Sequence, residues 1–285
     1  MKMSGVLYIV ATPIGNLDDI TLRAIEILRT VDLVAAEDTR HSQHLLSHLG
    51  VSKKMLSLHE HNERDRIQQI LNYLEAGQQI ALVSDAGTPL ISDPGFPLVR
   101  ATIEAGFRVI PIPGVSSIIT ALSAAGLPTD KFSFHGFLPH KNAERVKRLE
   151  SLKNSDGTHV LLESTHRIER LLQQIMQVMP ESQVVLAKEL TKRHETFIRG
   201  SAEQCLQVFE QDALLKKGEF VVLIYQLIAD KDDSVDLDAE KMLALLMQEM
   251  PLKKAVKLAV SLSGLKKNEL YKMALVLSGN QHKED

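Results

Sequence analysis

The chain of 285 residues contains one cysteine and no tryptophan, and its apolar runs are short. The single Cys205 excludes an intrachain disulfide and a CxxC metal site, and it fits a reducing compartment. We interpret it as a core or boundary residue of a predicted helix. The longest apolar run, residues 220–229, is far below membrane-spanning length, and the apolar segment at residues 6–11 is too short for a signal peptide. We therefore expect a soluble, cytoplasmic protein.

The common phosphate-binding motifs are also missing. There is no G-x-x-x-x-G-K-[ST] motif and no G-x-G-x-x-G after the first apolar segment, which disfavours a P-loop NTPase and an ordinary dinucleotide-binding domain. Residues 114–117 do not form the G-x-S-x-G turn of a serine hydrolase. A net charge of −3 does not demand a nucleic-acid partner, but a local basic patch would be sufficient to bind one.

Hydrophobic residues make up 44% of the chain, enough for a substantial core. Through residues 1–113, short apolar runs alternate with helical patterns, which predicts an α/β domain with a mostly parallel sheet covered by helices. Residues 114–229 predict a second α/β domain with a more mixed sheet, based on longer strand-like runs at 158–162, 183–188 and 220–227.

A third unit follows a polar, acid-rich segment at residues 229–238, which we predict to be a linker. Residues 235–280 carry apolar stripes at helical spacing with a turn at Gly264, typical of a helix-turn-helix. Two basic stretches suit contact with phosphates, although each could be an ordinary solvated helix face. They contain Lys253, Lys254, Lys257, Lys266, Lys267 and Lys272 in this unit, and Lys141, Arg145, Lys147, Arg148 and Lys153 before it.

Three clusters rich in glycine, proline and small polar residues follow predicted strands, at residues 12–16, 84–89 and 111–117. In an open parallel sheet, such positions share the edge where ligands bind. Each cluster alone could be an ordinary connector between a strand and a helix. The longer segment 84–95, Ser-Asp-Ala-Gly-Thr-Pro-Leu-Ile-Ser-Asp-Pro-Gly, exceeds a minimal connector, and loops of this kind are usually functional.

Residues 10–24 resemble the first loop and helix of the tetrapyrrole methylase superfamily, although this loop is less glycine-rich here. More narrowly, the chain is similar over essentially its whole length to one branch, the family of ribosomal RNA small subunit methyltransferase I, which are 16S rRNA (cytidine-2′-O)-methyltransferases. Seven motifs in order carry this resemblance, at residues 11–17, 36–40, 84–95, 113–114, 163–167, 188–192 and 217–219.

The resemblance implies two α/β domains of the tetrapyrrole methylase type with a cofactor cleft between them, plus the small C-terminal helical unit. It also implies S-adenosylmethionine as cofactor, a cytidine ribose in the decoding region of 16S rRNA as the methyl acceptor, and a homodimer. Carried over position by position, the expected cofactor contacts are Pro13, Ile14, Ser84, Asp85, Ala86, Gly87, Thr88, Leu90, Ser116, Ser117, Leu162, Glu163, Ala187, Gly218 and Glu219.

Catalytic or ribose-contacting residues are expected at Glu37, Asp38 and Arg40, almost entirely because of the resemblance. A ribose hydroxyl is a poor nucleophile, so a base or a stabilising cation would assist its attack. The same residues could instead form a salt-bridged helix N-terminus, with Asp38 or Thr39 as the N-cap.

Other polar groups leave alternatives open. Residues 59–62 and the pair Lys188 and Glu189 are further base candidates, and the sequence does not choose among them. Three histidines repeat at helical spacing, but nothing nearby completes a metal site, so we expect solvated or substrate-facing side chains and no metal. They are His41, His44 and His48.

Two other functions also stay open. One is a small-molecule methyltransferase of the same fold, which would not need the basic C-terminal unit. The other is an RNA-binding module without catalysis, which would bind RNA without depending on a cofactor.

Overall fold

Five parallel strands build the first sheet, in the order β3-β2-β4-β1-β5. The strands are β1 (Val6–Val10), β2 (Leu33–Ala36), β3 (Lys54–Ser57), β4 (Gln79–Val83) and β5 (Arg108–Ile112). The helices that cover them are α1 (Leu22–Thr30), α2 (Thr39–His48), α3 (Glu63–Glu75) and α4 (Phe96–Glu104). The structure is a computed structural model that describes residues 5–59, 62–226, 232–263 and 265–281.

Consecutive residues of β2 show why this sheet is apolar on both faces. Leu33 packs in the same cluster as Ile70 of α3, whereas Val34 packs in the cluster of Leu28 of α1. Strands covered on both faces have continuous apolar runs rather than alternating ones, as the sequence pattern predicted. Thr21 is the N-cap of α1, and its side-chain oxygen accepts the backbone N–H of Ala24 at 3.2 Å.

The second sheet is mixed, as predicted, with the order β6-β7-β10-β8-β9. Only β6 and β7 pair in parallel, and the other pairs are antiparallel. The strands are β6 (Phe132–Phe137), β7 (Thr158–Ser164), β8 (Gln183–Lys188), β9 (Thr196–Gly200) and β10 (Glu219–Tyr225). The helices are α5 (Ser117–Ala125), α6 (Asn142–Lys153), α7 (Ile168–Val178) and α8 (Ala202–Gln211).

Helix α5 covers one face of the second sheet, and α6, α7 and α8 cover the other. Cys205 is buried in the latter cluster, which confirms its interpretation as a core residue. The strands β6 and β9 were not predicted. Both lie at the edges of the sheet, where polar residues such as His135 and Arg199 interrupt the apolar pattern.

The described residues of the C-terminal unit form three helices, α9 (Asp232–Glu249), α10 (Leu252–Ser263) and α11 (Lys267–Gln281). Its core includes Leu243, Val256 and Leu270, which are fully or almost fully buried. Because α9 begins at Asp232, residues 232–238 are helical, and the linker prediction is wrong for them; residues 229–231 lie outside the described ranges. Polarity was the basis of that prediction, and polarity does not distinguish a linker from the first turns of a helix.

The chain divides into two compact units, residues 1–226 and 227–285. Both sheets belong to the first unit, so the division predicted at residues 113 and 114 stays a prediction. Across the described ranges, no helix has the length and apolar character that crossing a membrane requires.

Candidate active site

Three loops at the carboxyl edge of the first sheet meet through hydrogen bonds. Thr12 and Gly87 exchange backbone N–H···O bonds of 2.9 and 3.0 Å, and Thr88 Oγ1 donates to the carbonyl of Val115 at 3.0 Å. Gly87 has a φ of +82°, and a Cβ there would lie 3.3 Å from Ile14, so both the backbone and the packing favour glycine. The three turn clusters predicted from the sequence therefore form one continuous surface.

A cavity of about 270 Å³ lies between this surface and one face of the second sheet. Its walls are mainly apolar with a few polar groups, the usual composition of a small-molecule site. Seven of the expected cofactor contacts line it: Ile14, Ala86, Ser117, Leu162, Glu163, Ala187 and Glu219. The sequence analysis missed five further lining residues: Phe137, Ser164, Leu190, Phe220 and Val221.

Strand register explains why Val221 was missed. It pairs with Leu162 of β7 on one side and with Ala187 of β8 on the other, so three lining residues lie side by side across the sheet. The apolar runs predicted the strands, but no local pattern gives their register. The sequence therefore contained no signal that placed Val221 between the other two.

Glu163 is a buried charged residue beside the cavity. Its side chain is fully excluded from solvent, and Oε1 accepts the backbone N–H of Ser164 at 2.8 Å and lies 3.2 Å from Nε of Arg167. Leu162 lies on the face of β7 that lines the cavity, so the side chain of Glu163 lies on the opposite face, and Glu163 borders the cavity through its backbone. Its carboxylate therefore stabilises the end of β7 through Ser164 and Arg167.

A network of charged residues borders the same cavity. Lys192 Nζ donates to Glu189 Oε1 and to Glu219 Oε2, both at 3.0 Å, and the backbone N–H of Glu219 donates to Glu189 Oε1 at 2.9 Å. Burial raises the pKa of Glu189, but the hydrogen bonds from Glu219 and Lys192 outweigh it and lower that pKa. A Cβ at Gly15 would clash with Lys192, and one at Gly218 would lie 2.6 Å from Glu189, so both glycines allow this close packing.

Three expected cofactor contacts line a different and smaller cavity of about 30 Å³, namely Pro13, Ser84 and Asp85. This volume accommodates about one water molecule, so it cannot hold a cofactor by itself. Asp85 Oδ1 accepts the backbone N–H of Asp38 at 3.1 Å and thereby connects the 84–95 loop to the start of α2. The other expected contacts do not line the main cavity: Gly87, Thr88, Leu90, Ser116 and Gly218.

The expected catalytic residues form the N-terminus of α2. Asp38 is the N-cap, accepting the backbone N–H of Arg40 at 2.8 Å, and its Oδ2 forms an exposed ion pair with Arg40 Nη2 at 3.2 Å. The hydrogen bond from the Arg40 side chain lowers the pKa of Asp38, which makes this carboxylate a weaker base. Arg40 also lines an open groove with Lys53, whereas Glu37 is half-buried. A catalytic role for these three residues stays a prediction.

The structure offers another carboxylate that the sequence analysis missed. Burial raises the pKa of Asp93, although a hydrogen bond from Ser84 opposes the rise and the nearby charge of Asp85 adds to it. A raised pKa brings a carboxylate closer to the range of a useful general base. Of the alternative base candidates, Lys188 is buried, and residues 60 and 61 lie outside the described ranges.

The two basic stretches differ in the structure. Arg145 is only 2% exposed and hydrogen-bonds Gln174 of α7 and Asn142, so including it in a phosphate-contacting stretch is wrong. It follows the helical spacing of Leu149, on the side of α6 that packs on the core. All six lysines of the basic stretch at residues 253–272 are exposed, as are Lys147, Arg148 and Lys153. Within the described residues, no group of three or more His, Cys, Asp or Glu is arranged to hold a metal ion.

Comparison with known proteins identifies the family. Residues 6–205 match the family of tetrapyrrole (corrin/porphyrin) methylases, and residues 233–278 match the RsmI C-terminal HTH domain. The ribosomal RNA small subunit methyltransferase I of Escherichia coli O157:H7 is 50% identical over 276 residues, which cover 96% of each chain. The chain belongs to the ribosomal RNA small subunit methyltransferase I family. The expected methyltransferase and the helix-turn-helix at its C-terminus are thereby confirmed.

Solved structures show the same fold at lower identity. A cobalamin biosynthetic enzyme, cobalt precorrin-4 methyltransferase, has a TM-score of 0.58 at 18% identity and covers 76% of this chain and 94% of its own. Uroporphyrin-III C-methyltransferase from Thermus thermophilus, complexed with S-adenosyl homocysteine, has a TM-score of 0.54 at 17% identity and covers 77% and 97%. These likenesses confirm the tetrapyrrole methylase fold of the first unit.

Proposed function

We propose that this protein transfers a methyl group from S-adenosylmethionine to the 2′-oxygen of a cytidine ribose in the decoding region of 16S rRNA. The observation that carries the proposal is the apolar cavity at the carboxyl edge of the first sheet, in a chain that is 50% identical to a ribosomal RNA small subunit methyltransferase. The S-adenosyl homocysteine of the Thermus thermophilus enzyme, which shares the fold, supports the choice of cofactor.

The cavity residues fit this methyl donor. Leu162, Ala187 and Val221 form an apolar floor against which an adenine ring or a thioether would pack. The polar residues of the lining, Ser117, Ser164 and Glu219, would accept hydrogen bonds from a ribose hydroxyl or an amino group. When bound, S-adenosylmethionine supplies an electrophilic methyl group on a sulfonium, so the protein contributes position and electrostatics.

The acceptor hydroxyl must lose a proton as it attacks. Asp93, with its raised pKa, is better suited to take that proton than Asp38, whose pKa is lowered. Arg40 has a highly exposed guanidinium beside Asp38 and is suited to hold a phosphate or to stabilise developing charge.

The C-terminal unit supports a ribosomal RNA partner. The six exposed lysines at residues 253–272 lie in a region that matches a helix-turn-helix domain, and such a surface suits phosphate contact. We further propose that the enzyme acts as a homodimer in the cytoplasm. Exposed apolar side chains on α4 and α5, such as Phe96, Ile103 and Ile119, are suited to a subunit interface.

The direct test measures transfer of a labelled methyl group from S-adenosylmethionine to purified 30S subunits that lack the modification. Digestion of the rRNA to nucleosides should then give labelled 2′-O-methylcytidine. Label on a base instead of the ribose would contradict the proposed position, and no label on subunits or naked rRNA would contradict the proposed substrate. Sedimentation of the purified protein tests the homodimer.

A further inference from the structure

An exposed aromatic side chain stands at the rim of the cavity. Phe137 lines the cavity, yet 56% of its surface is open to solvent. Aromatic residues make up only 4% of the chain, so few rings are available for contacts with flat ligands. An exposed ring at the edge of a methyl-transfer site therefore suggests a partner that is flat and arrives from solvent.

A β-bulge directs this ring toward the cavity. Phe134 pairs with Val160 of β7 and Phe137 pairs with Leu162, so three steps along β6 match two steps along β7. Without the extra residue, Phe137 would lie on the opposite face from Phe134. The bulge instead places it on the face of Leu162, which lines the cavity.

Glycine makes this bulge possible. Gly136 has a φ of +60°, in the left-handed region that glycine adopts without the penalty of other residues. A Cβ on Gly136 would lie 3.6 Å from Ser92 Oγ, so the bulge sits beside the 84–95 loop. Phe137 therefore stands where the second sheet approaches the loop that closes the first sheet.

We propose that Phe137 is the platform on which the base of the target nucleotide stacks, holding the attached ribose at the mouth of the cavity. The inference rests on the proposed function, since it assigns a contact to the proposed RNA substrate. A nucleotide removed from its helical stack loses its stacking neighbours, and an aromatic side chain replaces them regardless of base identity.

The test compares substitutions at Phe137 in the full-length enzyme, using unmodified 30S subunits as substrate. Phe137→Ala should lower kcat/KM for subunits by about 5-fold to about 150-fold, the range for loss of one base–aromatic stack. Phe137→Tyr should retain activity because it keeps the ring. Phe137→Leu should resemble alanine because it is apolar but has no aromatic face.

Phe132 provides a matched control. It lies on the same strand and the same face, and it is 45% exposed, but it does not line the cavity. Phe132→Ala should keep wild-type kinetics, and melting temperatures should show that all variants are folded. Calorimetry with S-adenosylhomocysteine should give the wild-type affinity for Phe137→Ala.

Each contrary result identifies a different error. Weaker S-adenosylhomocysteine binding by Phe137→Ala would assign the ring to the cofactor, and altered sedimentation would assign it to a second copy of the chain; either result overturns the proposal. Wild-type kinetics of Phe137→Ala or Phe137→Leu would overturn it while leaving the proposed function intact. No methylation by the wild-type enzyme would overturn both.

Discussion

The buried ion pair of Glu163 leads to a quantitative prediction for Glu163→Gln. The substitution keeps the shape of the side chain and the carbonyl oxygen that can accept the N–H of Ser164. It removes the negative charge that lies 3.2 Å from Arg167 Nε, and it replaces Oε2 with an amide NH₂, which donates instead of accepting. Because the Glu163 side chain is fully excluded from solvent, we expect the change to act on the stability of the folded protein.

The expected magnitude follows from the burial of this group. A hydrogen bond to a charged group contributes about 1.5–3 kcal/mol. The variant weakens the ion pair with Arg167, whose Nη2 keeps the carbonyl of Leu138 as a partner at 2.7 Å. We therefore expect a loss of about 1–3 kcal/mol in the free energy of unfolding.

Denaturant titration measures the free energy of unfolding. Glu169→Gln is the matched control, since Glu169 lies on the neighbouring α7 and its ion pair with Lys216, at 2.7 Å, is partly exposed to solvent. It should lose less than about 1 kcal/mol. Wild-type stability of Glu163→Gln would refute the role assigned to the buried ion pair.

Three further predictions concern stability and RNA binding. Gly218→Ala should lower both the Tm and the affinity for S-adenosylhomocysteine. The φ of Gly218 is +111°, and the new Cβ would lie 2.6 Å from Glu189 Cγ. An unchanged Tm in thermal unfolding would contradict this prediction. Burial, with His159 and Arg148, lowers the pKa of His135 from 6.5 to about 4. Between pH 6.5 and about 4, the unfolded chain therefore binds more protons than the folded protein, so the free energy of unfolding should fall as the pH drops through this window. In His135→Gln this fall should be less steep. Denaturant titrations at several pH values measure the slope, and equal slopes for the variant and the wild type would contradict the prediction. Replacing Lys253, Lys254 and Lys257 of α10 with glutamine should weaken the salt dependence of binding to 30S subunits. The slope of log affinity against log salt concentration, measured by filter binding, should fall by up to about 2. An unchanged slope would exclude phosphate contacts at these three lysines.

Much of the site was predictable because its loops follow strands that the sequence marks clearly. The apolar runs of the first sheet are continuous, so the positions of Ile14 and Ala86 at its carboxyl edge followed from chain order. Those inferences needed only local patterns and their order along the chain. The expectation for Glu163 came from the resemblance, and the structure places it near the end of β7.

Other parts of the site could not be predicted from local patterns. The burial of Arg145 depends on Gln174, 29 residues away, which hydrogen-bonds the guanidinium inside the protein. A basic residue on an amphipathic helix is ordinarily solvent-exposed, so the sequence favoured the wrong interpretation. The raised pKa of Asp93 likewise depends on burial, which composition does not report.

The sequence by itself determined the βα order, the loops at the strand ends and, through the order of its motifs, the family. Only the tertiary structure decided that Val221 lies between Leu162 and Ala187, and that a bulge at Gly136 directs Phe137 to the cavity. The physical reason is that apolar periodicity is a property of each segment alone. Strand register, bulges and burial result from contacts between segments that are distant along the chain.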